Sequence, residues 1–390
     1  MTNQTVILFD VDGVLLHPVG YKEVMRVSVD HFGRLMGQTN SVGPTDEDIA
    51  LFESHGITNE WDTTAMCVAQ LLLAALEQAP HLVGESLIDT LAAIHQSGVQ
   101  IGRPDFGWLS GEVAARRAGP RPSRFALDVL IERAPPETHS LLHEVLGDAY
   151  QLHAPTTRVF QHHTLGSQRF ATLYGEGPDF EAVSLLETKD RPHLSAEMRK
   201  RLLAWLDGDG QHAVIFTARP SLPPIDAYEE RPASRLETSP EAEIAREVMG
   251  LESLPLMATG RLAWLAAGTG VRPEDYVKPS PVQSLAAIGA ALSRTETPAL
   301  EAAEAFAQRG TVGGPLAALE GRSTRVTVFE DSPGGITSTR AAVELLRRAG
   351  LDVTLEAVGV APEPVKQATL AKVASRVVSD VNEGLEPILA

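Results

Sequence analysis

Val6-Ile7-Leu8-Phe9-Asp10-Val11-Asp12-Gly13-Val14-Leu15 is the stretch of sequence that decides the fold. Its leading apolar residues are typical of a short strand that is buried on both faces of a sheet. Asp10 and Asp12 follow, and because residues two apart on an extended backbone share a face, both carboxylates can point beyond the end of the strand. Ligands of open α/β sheets bind at the carboxyl ends of strands. The stretch therefore predicts either a functional acidic site or an acidic surface turn.

The charge balance restricts the partners of this chain. Its 390 residues carry 51 acidic and 33 basic side chains, which gives a formal net charge of −18. Nucleic acids and anionic membranes both need a basic surface, so we expect neither as a partner. A phosphorylated small molecule would have to be attracted by a local group of bases or by a metal ion. The length suffices for two domains, and the oligomeric state is left open.

The single cysteine and the amino terminus indicate a cytoplasmic protein. One cysteine cannot form an internal disulfide, and a chain without disulfides suits a reducing compartment. Cys67 lies in an apolar helical run at 65–69, which favours a buried thiol over a nucleophile. The apolar residues at the amino terminus end at Asp10, unlike a signal peptide. Apolar runs such as 71–76 are far shorter than the ~20 residues of a membrane span.

Helical spacing and strand signals divide the chain near residue 195. Between about 20 and 195, apolar residues recur at helical spacing, which predicts one mostly helical block. After 195, strand and helix signals alternate, which predicts βαβ units and a Rossmann-like, doubly wound parallel α/β sheet. Strands are predicted at 213–216, 325–329, 353–358 and 377–378. The Pro-rich segments 118–122 and 220–240 are predicted to be loops.

Three later stretches place polar residues at the end of an apolar run or at the start of a helix. They are Val214-Ile215-Phe216-Thr217-Ala218-Arg219, Tyr276-Val277-Lys278-Pro279-Ser280-Pro281 and Val326-Thr327-Val328-Phe329-Glu330-Asp331-Ser332-Pro333-Gly334-Gly335-Ile336. Together with the first stretch they resemble, in order, the four motifs of the haloacid dehalogenase (HAD) superfamily. Separately, Thr217 suits a turn, Lys278 a solvated surface lysine, and Glu330-Asp331 an acidic helix cap. The joint pattern carries the resemblance.

The resemblance implies a division into domains. It places a HAD-like catalytic core at 1–16 and 196–390, and a helical cap domain at 17–195 that is inserted between motifs one and two. Such caps close over the core, exclude water and supply specificity residues. This insertion is larger than the usual helical cap of the superfamily, so the substrate of smaller relatives does not transfer to it. The candidate specificity residues are His17, Tyr21, Asn59, Trp61 and Asp62.

The resemblance also implies roles for the motif residues. Asp10 would be the nucleophile that forms an aspartyl-phosphate. Asp12 would protonate the leaving alcohol and then activate the hydrolytic water. Lys278 would offset negative charge, and Thr217 would donate a hydrogen bond to the phosphoryl group.

Mg²⁺ is the cofactor that the resemblance implies. Its ligands would be Asp10, the backbone carbonyl of Asp12, Glu330 and Asp331, with Asp331 the firmer of the last two. The substrate-binding candidates are Thr217, Ala218, Arg219 and Lys278.

Two further features have competing interpretations. Arg219 either contacts the substrate or pairs with an acid. The His162-His163 pair suggests a metal site, but adjacent side chains point apart, which favours a structural or surface role.

The identity of residue 12 discriminates among HAD activities. The haloacid dehalogenases and the phosphonate hydrolases of the superfamily lack an aspartate at the position of Asp12, which argues against both. We expect a Mg²⁺-dependent phosphomonoesterase that acts on a small phosphorylated metabolite of the sugar or polyol phosphate class. A phosphosugar mutase of the β-phosphoglucomutase type would use the same groups and is an alternative. A catalytically silent binding protein is a third hypothesis.

Overall fold

Eight strands occur in the residues that the computed structural model describes, which are 3–116, 121–231 and 238–389. They are β1 (Asn3–Phe9), β2 (Leu16–His17), β3 (Arg191–Pro192), β4 (Gln211–Phe216), β5 (Leu256–Met257), β6 (Ser323–Glu330), β7 (Val353–Val360) and β8 (Arg376–Val378). Six of them form a parallel sheet in the order β5-β4-β1-β6-β7-β8. The other two, β2 and β3, pair in an antiparallel ribbon.

The strand order reverses at β1. After β1 the chain adds β4 and β5 on one side of it, and then returns to add β6, β7 and β8 on the other side. Such a reversal leaves a crevice outside the carboxyl ends of the neighbouring strands, which is where ligands bind in open α/β sheets. The residues that follow β1 and β6 therefore lie where a site is expected.

The chain divides into two compact units, which we call the core unit (Met1–Pro18 and Asp190–Ala390) and the helical unit (Val19–Lys189). The helices of the helical unit are α1 (Val19–Leu35), α2 (Asp46–Ser54), α3 (Glu60–Gln78), α4 (Leu87–Ser97), α5 (Phe106–Arg116), α6 (Pro122–Ile131), α7 (His139–Leu146), α8 (Pro155–Leu165), α9 (Ser167–Tyr174) and α10 (Leu185–Lys189). The helices of the core unit are α11 (Ala196–Trp205), α12 (Glu241–Met249), α13 (Thr259–Thr269), α14 (Pro281–Ser293), α15 (Thr297–Arg309), α16 (Pro333–Arg348), α17 (Pro364–Leu370) and α18 (Val381–Leu385).

Both faces of the sheet are covered by helices. Side chains alternate along a strand, so Val6 and Leu8 of β1 join one hydrophobic cluster with residues of α13, α14, α15 and α16. Ile7 and Phe9 join a second cluster with residues of α11, α12 and α18. This two-sided burial explains why β1 is apolar at every position from Val6 to Phe9. The predicted doubly wound α/β fold is confirmed.

The helical unit is built around α3. Thirteen of its 19 residues are buried, as expected for a helix that other helices surround. Cys67 lies in the middle of this helix and is fully buried, and burial raises the pKa of its thiol, which suits a packing role. The mostly helical block predicted for this part of the chain is confirmed by the ten helices described above.

The unit boundaries lie a few residues from the predicted domain boundaries at 16/17 and 195/196. In the structure the divisions follow Pro18 and precede Asp190. The reason is the antiparallel ribbon, because β2 and β3 lie at the two crossings of the chain and pair with each other within the core unit.

The predicted loops lie partly outside the described residues. Residues 220–231 and 238–240 contain no helix or strand, whereas 232–237 are not described. Of the predicted connector at 118–122, residues 118–120 are not described, and Pro122 begins α6. Within the described ranges, no helix combines the length and the apolar character that crossing a membrane requires.

Candidate active site

Three neighbouring strands deliver polar side chains to one edge of the sheet. Asp10 directly follows β1, Thr217 directly follows β4, and Glu330 is the last residue of β6, with Asp331 next. Because β4, β1 and β6 are adjacent and parallel, their carboxyl ends meet. Asp10 is buried at 7% exposure and Glu330 is fully buried, so these acids are parts of the interior rather than of a solvated turn.

Lys278 reaches the same edge from the loop before α14. Its Nζ lies 3.0 Å from Oδ1 of Asp10 and 2.6 Å from Oε1 of Glu330. The ammonium also lies 4.4 Å from the centre of the Phe216 ring, a cation–π contact that shields it from water. Lys278 is therefore a buried, paired lysine and not the solvated surface lysine that its local sequence alone would suggest.

The electrostatics of this group are dominated by burial. Burial and the charge of Glu330 raise the pKa of Asp10 well above its usual range, and Lys278 opposes them. Burial alone would lower the pKa of Lys278, but Asp10 and Glu330 raise it above its usual value. The lysine is thus held in its charged form, which is the form that stabilises a carboxylate or a phosphate beside it.

The two acids of motif four have different surroundings. Oε1 of Glu330 accepts a hydrogen bond from Lys278, and Oε2 accepts from the backbone N–H and the hydroxyl of Ser332, each at 2.9 Å. Asp331 is partly exposed, and burial raises the pKa of its carboxyl, with Lys366 opposing the shift. The structure thus pairs one oxygen of Asp331 with Lys366, whereas both oxygens of Glu330 have protein partners.

Two glycines allow the backbone to approach these acids. A Cβ on Gly13 would lie 2.3 Å from Oδ2 of Asp331, and Gly13 also has a positive φ of 74°, which favours glycine. A Cβ on Gly335 would lie 1.7 Å from Oε1 of Glu330. Side chains at either position would displace an acid of the site.

The donor set fits a hard divalent cation. One carboxylate oxygen from each of Asp10, Glu330 and Asp331 can be chosen so that all lie within 4.8 Å of one another. Carboxylate oxygens are the ligands that Mg²⁺ and Ca²⁺ prefer. Asp10 and Asp331 are the two whose oxygens are least committed to the protein, so they are the better candidates for direct contact.

Lys366 is a site residue that sequence reasoning missed. It lies in α17, and its Nζ pairs with Oδ2 of Asp331. Nothing in the local sequence of α17 marks this lysine, because the contact depends on where the sheet places the helix.

Gln283 was also missed. It is fully buried in α14, its Nε2 donates to the carbonyls of Thr217 at 2.9 Å and Met257 at 3.2 Å, and its Oε1 accepts from the N–H of Lys278 at 2.9 Å. It thereby joins motif two to motif three. A signal was present, since Gln283 and Ser284 are polar residues at the start of a helix that is apolar over its next eight residues.

Motif two forms a tight turn after β4. Thr217 is buried, and its Oγ1 accepts the N–H of Arg219 at 3.2 Å, while Ala218 is exposed. The structure thus shows the turn-capping contact of Thr217, and its contact with a phosphoryl group stays a prediction, as does substrate contact by Ala218.

Arg219 pairs with acids, which is one of the two alternatives. Its Nε donates to Oδ2 of Asp12 at 2.9 Å, and its Nη2 donates to Oδ1 of Asp12 at 2.5 Å and to Oδ2 of Asp190 at 3.1 Å. The carboxylate of Asp12 is thus held by a buried arginine. A substrate contact by Arg219 stays a prediction.

The histidine pair of α8 packs inside the helical unit. His162 is fully buried, stacks on Phe170 at 3.6 Å between ring centres, and lies 3.3 Å from Oδ2 of Asp179. His163 packs against Phe180 at 5.1 Å. These contacts agree with the structural role that the sequence favours for His162 and His163 over a metal site.

The specificity candidates in the helical unit include two residues with evident structural contacts. Asn59 caps α3 by accepting from the N–H groups of Trp61 and Asp62. Asp62 is fully buried and accepts from the N–H of Ser123 and the hydroxyl of Tyr150. In the core unit, His17 stacks on His193 at 5.5 Å.

Comparisons with known proteins support the fold. No protein-family model and no curated protein sequence matches the chain. Over 100% of its length it is similar to 99% of a Northeast Structural Genomics Consortium target solved by X-ray diffraction, with a TM-score of 0.61 and 15% identity. At that identity the similarity concerns the fold alone.

Two further solved structures are similar at lower scores. One is a phosphatase from Thermococcus thioreducens, with a TM-score of 0.45 and 17% identity over 98% of each chain. The other is a hydrolase from Pseudomonas syringae, with a TM-score of 0.33 and 11% identity over 99% of this chain and 98% of that one. These scores are too low to support a conclusion about this chain.

Proposed function

We propose that this chain is a HAD-type phosphomonoesterase that uses Mg²⁺ and acts on a small phosphorylated metabolite of the sugar or polyol phosphate class. The observation that carries the proposal is the pairing of Lys278 with Asp10 and Glu330 at the carboxyl ends of β1 and β6. Three stretches that are far apart in sequence converge there, and this supports the proposal because it puts a cation beside the carboxylate that would be the nucleophile.

Asp10 is the nucleophile in this proposal. One of its carboxylate oxygens forms a bond to phosphorus while the bond between phosphorus and the ester oxygen breaks. Asp12 in its protonated form, with one oxygen released from Arg219, gives its proton to that ester oxygen, so the leaving group departs as a neutral alcohol. Lys278 lies beside the nucleophile and offsets charge that would repel the phosphate dianion.

Hydrolysis of the phospho-aspartate completes the cycle. Asp12, now a carboxylate, accepts a proton from a water molecule whose oxygen bonds to phosphorus. The bond between phosphorus and the Asp10 oxygen breaks, which releases inorganic phosphate and restores the Asp10 carboxylate.

The residues that would hold Mg²⁺ are Asp10, the backbone carbonyl of Asp12 and Asp331. Glu330 would not contact the ion directly but would hold Lys278 in place. When bound, the ion would supply the positive charge that lets an anionic carboxylate approach an anionic phosphate. Lys366, which pairs with Asp331, would have to release that carboxylate.

The test is phosphate release from a panel of sugar, polyol and aryl phosphates, with Mg²⁺ and with EDTA. We expect release that needs the metal and falls by at least about 1000-fold in Asp10→Asn, since the covalent route is then lost. Asp352→Asn is the matched control, because Asp352 is exposed in the same unit, and it should leave the rate unchanged.

Two outcomes would contradict the proposal and favour another function. Interconversion of sugar phosphates without phosphate release would favour the mutase. Absence of both activities in folded protein that binds Mg²⁺ would favour a binding protein.

A further inference from the structure

We propose that Gln283 is a positioning residue that fixes Lys278 beside Asp10 and Glu330. The inference rests on the proposed function, in which Lys278 offsets the negative charge of the nucleophile and the phosphate. It goes beyond that function because Gln283 forms its hydrogen bonds with backbone groups and has no part in the chemistry itself.

The position of the Lys278 ammonium depends on where the backbone of that residue lies. Its Nζ is 3.0 Å from Oδ1 of Asp10 and 2.6 Å from Oε1 of Glu330. A flexible four-carbon stem separates Nζ from the backbone, so both distances require a fixed starting point. Lys278 lies in the segment 276–280, which contains no helix or strand. Its backbone must therefore be held by other contacts.

The amide of Gln283 is anchored to the end of the parallel sheet. Its Nε2 donates to the carbonyl of Thr217 at 2.9 Å and to the carbonyl of Met257 at 3.2 Å. Thr217 directly follows β4, and Met257 is the last residue of β5. The N–H of Thr217 also donates to the carbonyl of Met257 at 3.0 Å, so the two strand ends are already joined. The sheet thus provides a rigid base for this side chain.

The other end of the amide holds the loop. Oε1 of Gln283 accepts a hydrogen bond from the backbone N–H of Lys278 at 2.9 Å. Gln283 is fully buried, so water does not compete for these contacts. A buried amide whose donor and acceptor are both satisfied is held in one orientation. A single side chain therefore sets the distance between the sheet and the backbone of Lys278.

The same loop is restrained from α16 as well. The hydroxyl of Ser338 donates to the carbonyl of Ser280 at 2.6 Å and lies 2.7 Å from the hydroxyl of Ser284. Ser284 is the neighbour of Gln283 in α14, and adjacent side chains of a helix point in different directions. Both are fully buried where apolar side chains would be less costly to bury. What the polar pair supplies, and apolar residues would not, is a defined position for the loop.

A positioning role has a consequence that a purely structural role lacks. If Gln283 acts through Lys278, removal of its amide should affect the reaction only while the lysine is present. A general loss of stability would instead act in the same way whichever residue occupies position 278.

The experiment measures kcat/KM for p-nitrophenyl phosphate with Mg²⁺, at a temperature well below the unfolding midpoint of every variant. Gln283→Met keeps the length of the side chain and has no N–H to donate. We expect kcat/KM to fall by at least about tenfold, because small displacements of a catalytic group are costly. Gln283→Asn keeps the amide but is one methylene shorter, so it cannot span both ends. It should cause a smaller fall, and it provides a second test where Gln283→Met does not fold.

The matched control is Gln4→Met. Gln4 is another buried glutamine of the core unit, at 4% exposure, and its Nε2 donates to Oγ1 of Thr324 at 2.8 Å. It lies near the start of β1, whereas Asp10 follows the other end of that strand. Gln4→Met should lower the temperature of unfolding as Gln283→Met does, and it should leave kcat/KM unchanged.

A double-mutant cycle tests whether Gln283 acts through the lysine. In a Lys278→Met background, Gln283→Met should reduce kcat/KM by no more than about twofold, because the group that it positions is already absent. An unchanged kcat/KM in Gln283→Met, an equal fall in both backgrounds, or an equal fall in Gln4→Met would overturn the inference and leave the proposed phosphatase intact. A wild-type protein that releases no phosphate from p-nitrophenyl phosphate or from sugar and polyol phosphates would overturn the proposed function, and the inference with it.

Discussion

The Nζ atom of Lys278 lies 3.0 Å from Oδ1 of Asp10, although the two residues come from distant parts of the chain. The same ammonium lies 2.6 Å from Oε1 of Glu330, so one cation serves two buried acids. Buried charges are tolerated when they are paired, and each of these acids depends on the lysine for that pairing. The relationship therefore links stability to the proposed chemistry.

Lys278→Met should reduce both stability and activity. Removing one partner of a buried ion pair typically costs about 3–5 kcal/mol, because the remaining charge is left uncompensated. Loss of a charge that stabilises the transition state typically costs about 100- to 1000-fold in kcat. Urea unfolding and phosphate release would measure the two effects.

A second substitution separates these effects of Lys278. In the double variant Lys278→Met/Glu330→Gln, one of the two carboxylates left without a cation becomes neutral. Part of the stability lost in Lys278→Met should therefore return, while the activity stays low. Exposed Lys200 provides the control substitution, Lys200→Met, which should change neither. Recovery of activity in the double variant would contradict a direct role for the lysine.

Gly335→Ala should disrupt the site, whereas Gly334→Ala should not. A Cβ on Gly335 would lie 1.7 Å from Oε1 of Glu330, and that carboxylate cannot move without losing Lys278 or Ser332. The nearest atom to a Cβ on Gly334 is 3.9 Å away. Overpacking costs about 1–3 kcal/mol, and we expect a loss of activity of at least about tenfold with it.

The neighbouring glycine makes the comparison sensitive. Both positions lie in the first turn of α16, where alanine favours a helix by up to about 1 kcal/mol over glycine. Gly334→Ala should therefore match or exceed the wild type in thermal unfolding. Equal behaviour of the two variants would show that the Glu330 carboxylate is not held as the structure places it.

The convergence of the motifs could be predicted from the sequence through the resemblance of the four stretches to the HAD motifs. Apolar runs identify β1, β4 and β6, and the resemblance to the HAD motifs led us to expect Asp10, Thr217 and Glu330 together. The strand order explains their convergence, since adjacent parallel strands bring their carboxyl ends to one edge. The contacts of Lys366, Gln283 and Asp190 could not be predicted in the same way. Each depends on which helix or ribbon segment lies beside the site, and local sequence does not encode that packing.

Individual helices show a similar limit of local sequence. The sequence of α8 is rich in threonine and histidine, which have modest helix propensity, so its helix is stabilised by packing on α1 and α3. The helix α15, in contrast, carries a local signal, which is a proline near its start and an alanine-rich sequence.

Asp331 and Lys366 should have opposite effects on metal affinity. Asp331→Asn removes a carboxylate from the proposed ligand set, so Mg²⁺ binding measured by calorimetry should weaken by at least about 100-fold. Lys366→Met removes a cation that pairs with the same carboxylate, and an effect of ~1 kcal/mol or more should tighten binding by several-fold.

Controls for the metal experiment exist in the same unit. Lys372→Met replaces an exposed lysine and should leave the Mg²⁺ affinity unchanged. Glu330→Gln should weaken binding less than Asp331→Asn, because both oxygens of Glu330 already accept hydrogen bonds from the protein. Weaker binding in Lys366→Met would indicate that this lysine supports the cation site instead of competing for it.

The helical unit should lose stability as the pH falls below about 6.5, through His31 and His163. Burial, with Arg34, lowers the pKa of His31 to about 4, and burial, with His31, lowers the pKa of His163 to about 4. The usual pKa of histidine is about 6.5, so between these values the unfolded chain binds more protons than the folded one. The stabilisation is complete above pH ~6.5 and is lost as the pH falls toward about 4.

His163→Phe should flatten this dependence. The Nε2 atom of His163 is buried without a hydrogen-bond partner among the described residues, so a phenyl ring can replace the imidazole at small cost. His31 and His163 are only partly buried. After allowance for screening, we expect these two histidines together to account for roughly 1–3 kcal/mol of the pH-dependent free energy of unfolding. Thermal unfolding of wild type and variant from pH 7 to pH 4.5 would measure the difference, with His81→Phe at an exposed position as the control. Parallel pH profiles for wild type and His163→Phe would show that this histidine is not the group whose protonation destabilises the fold.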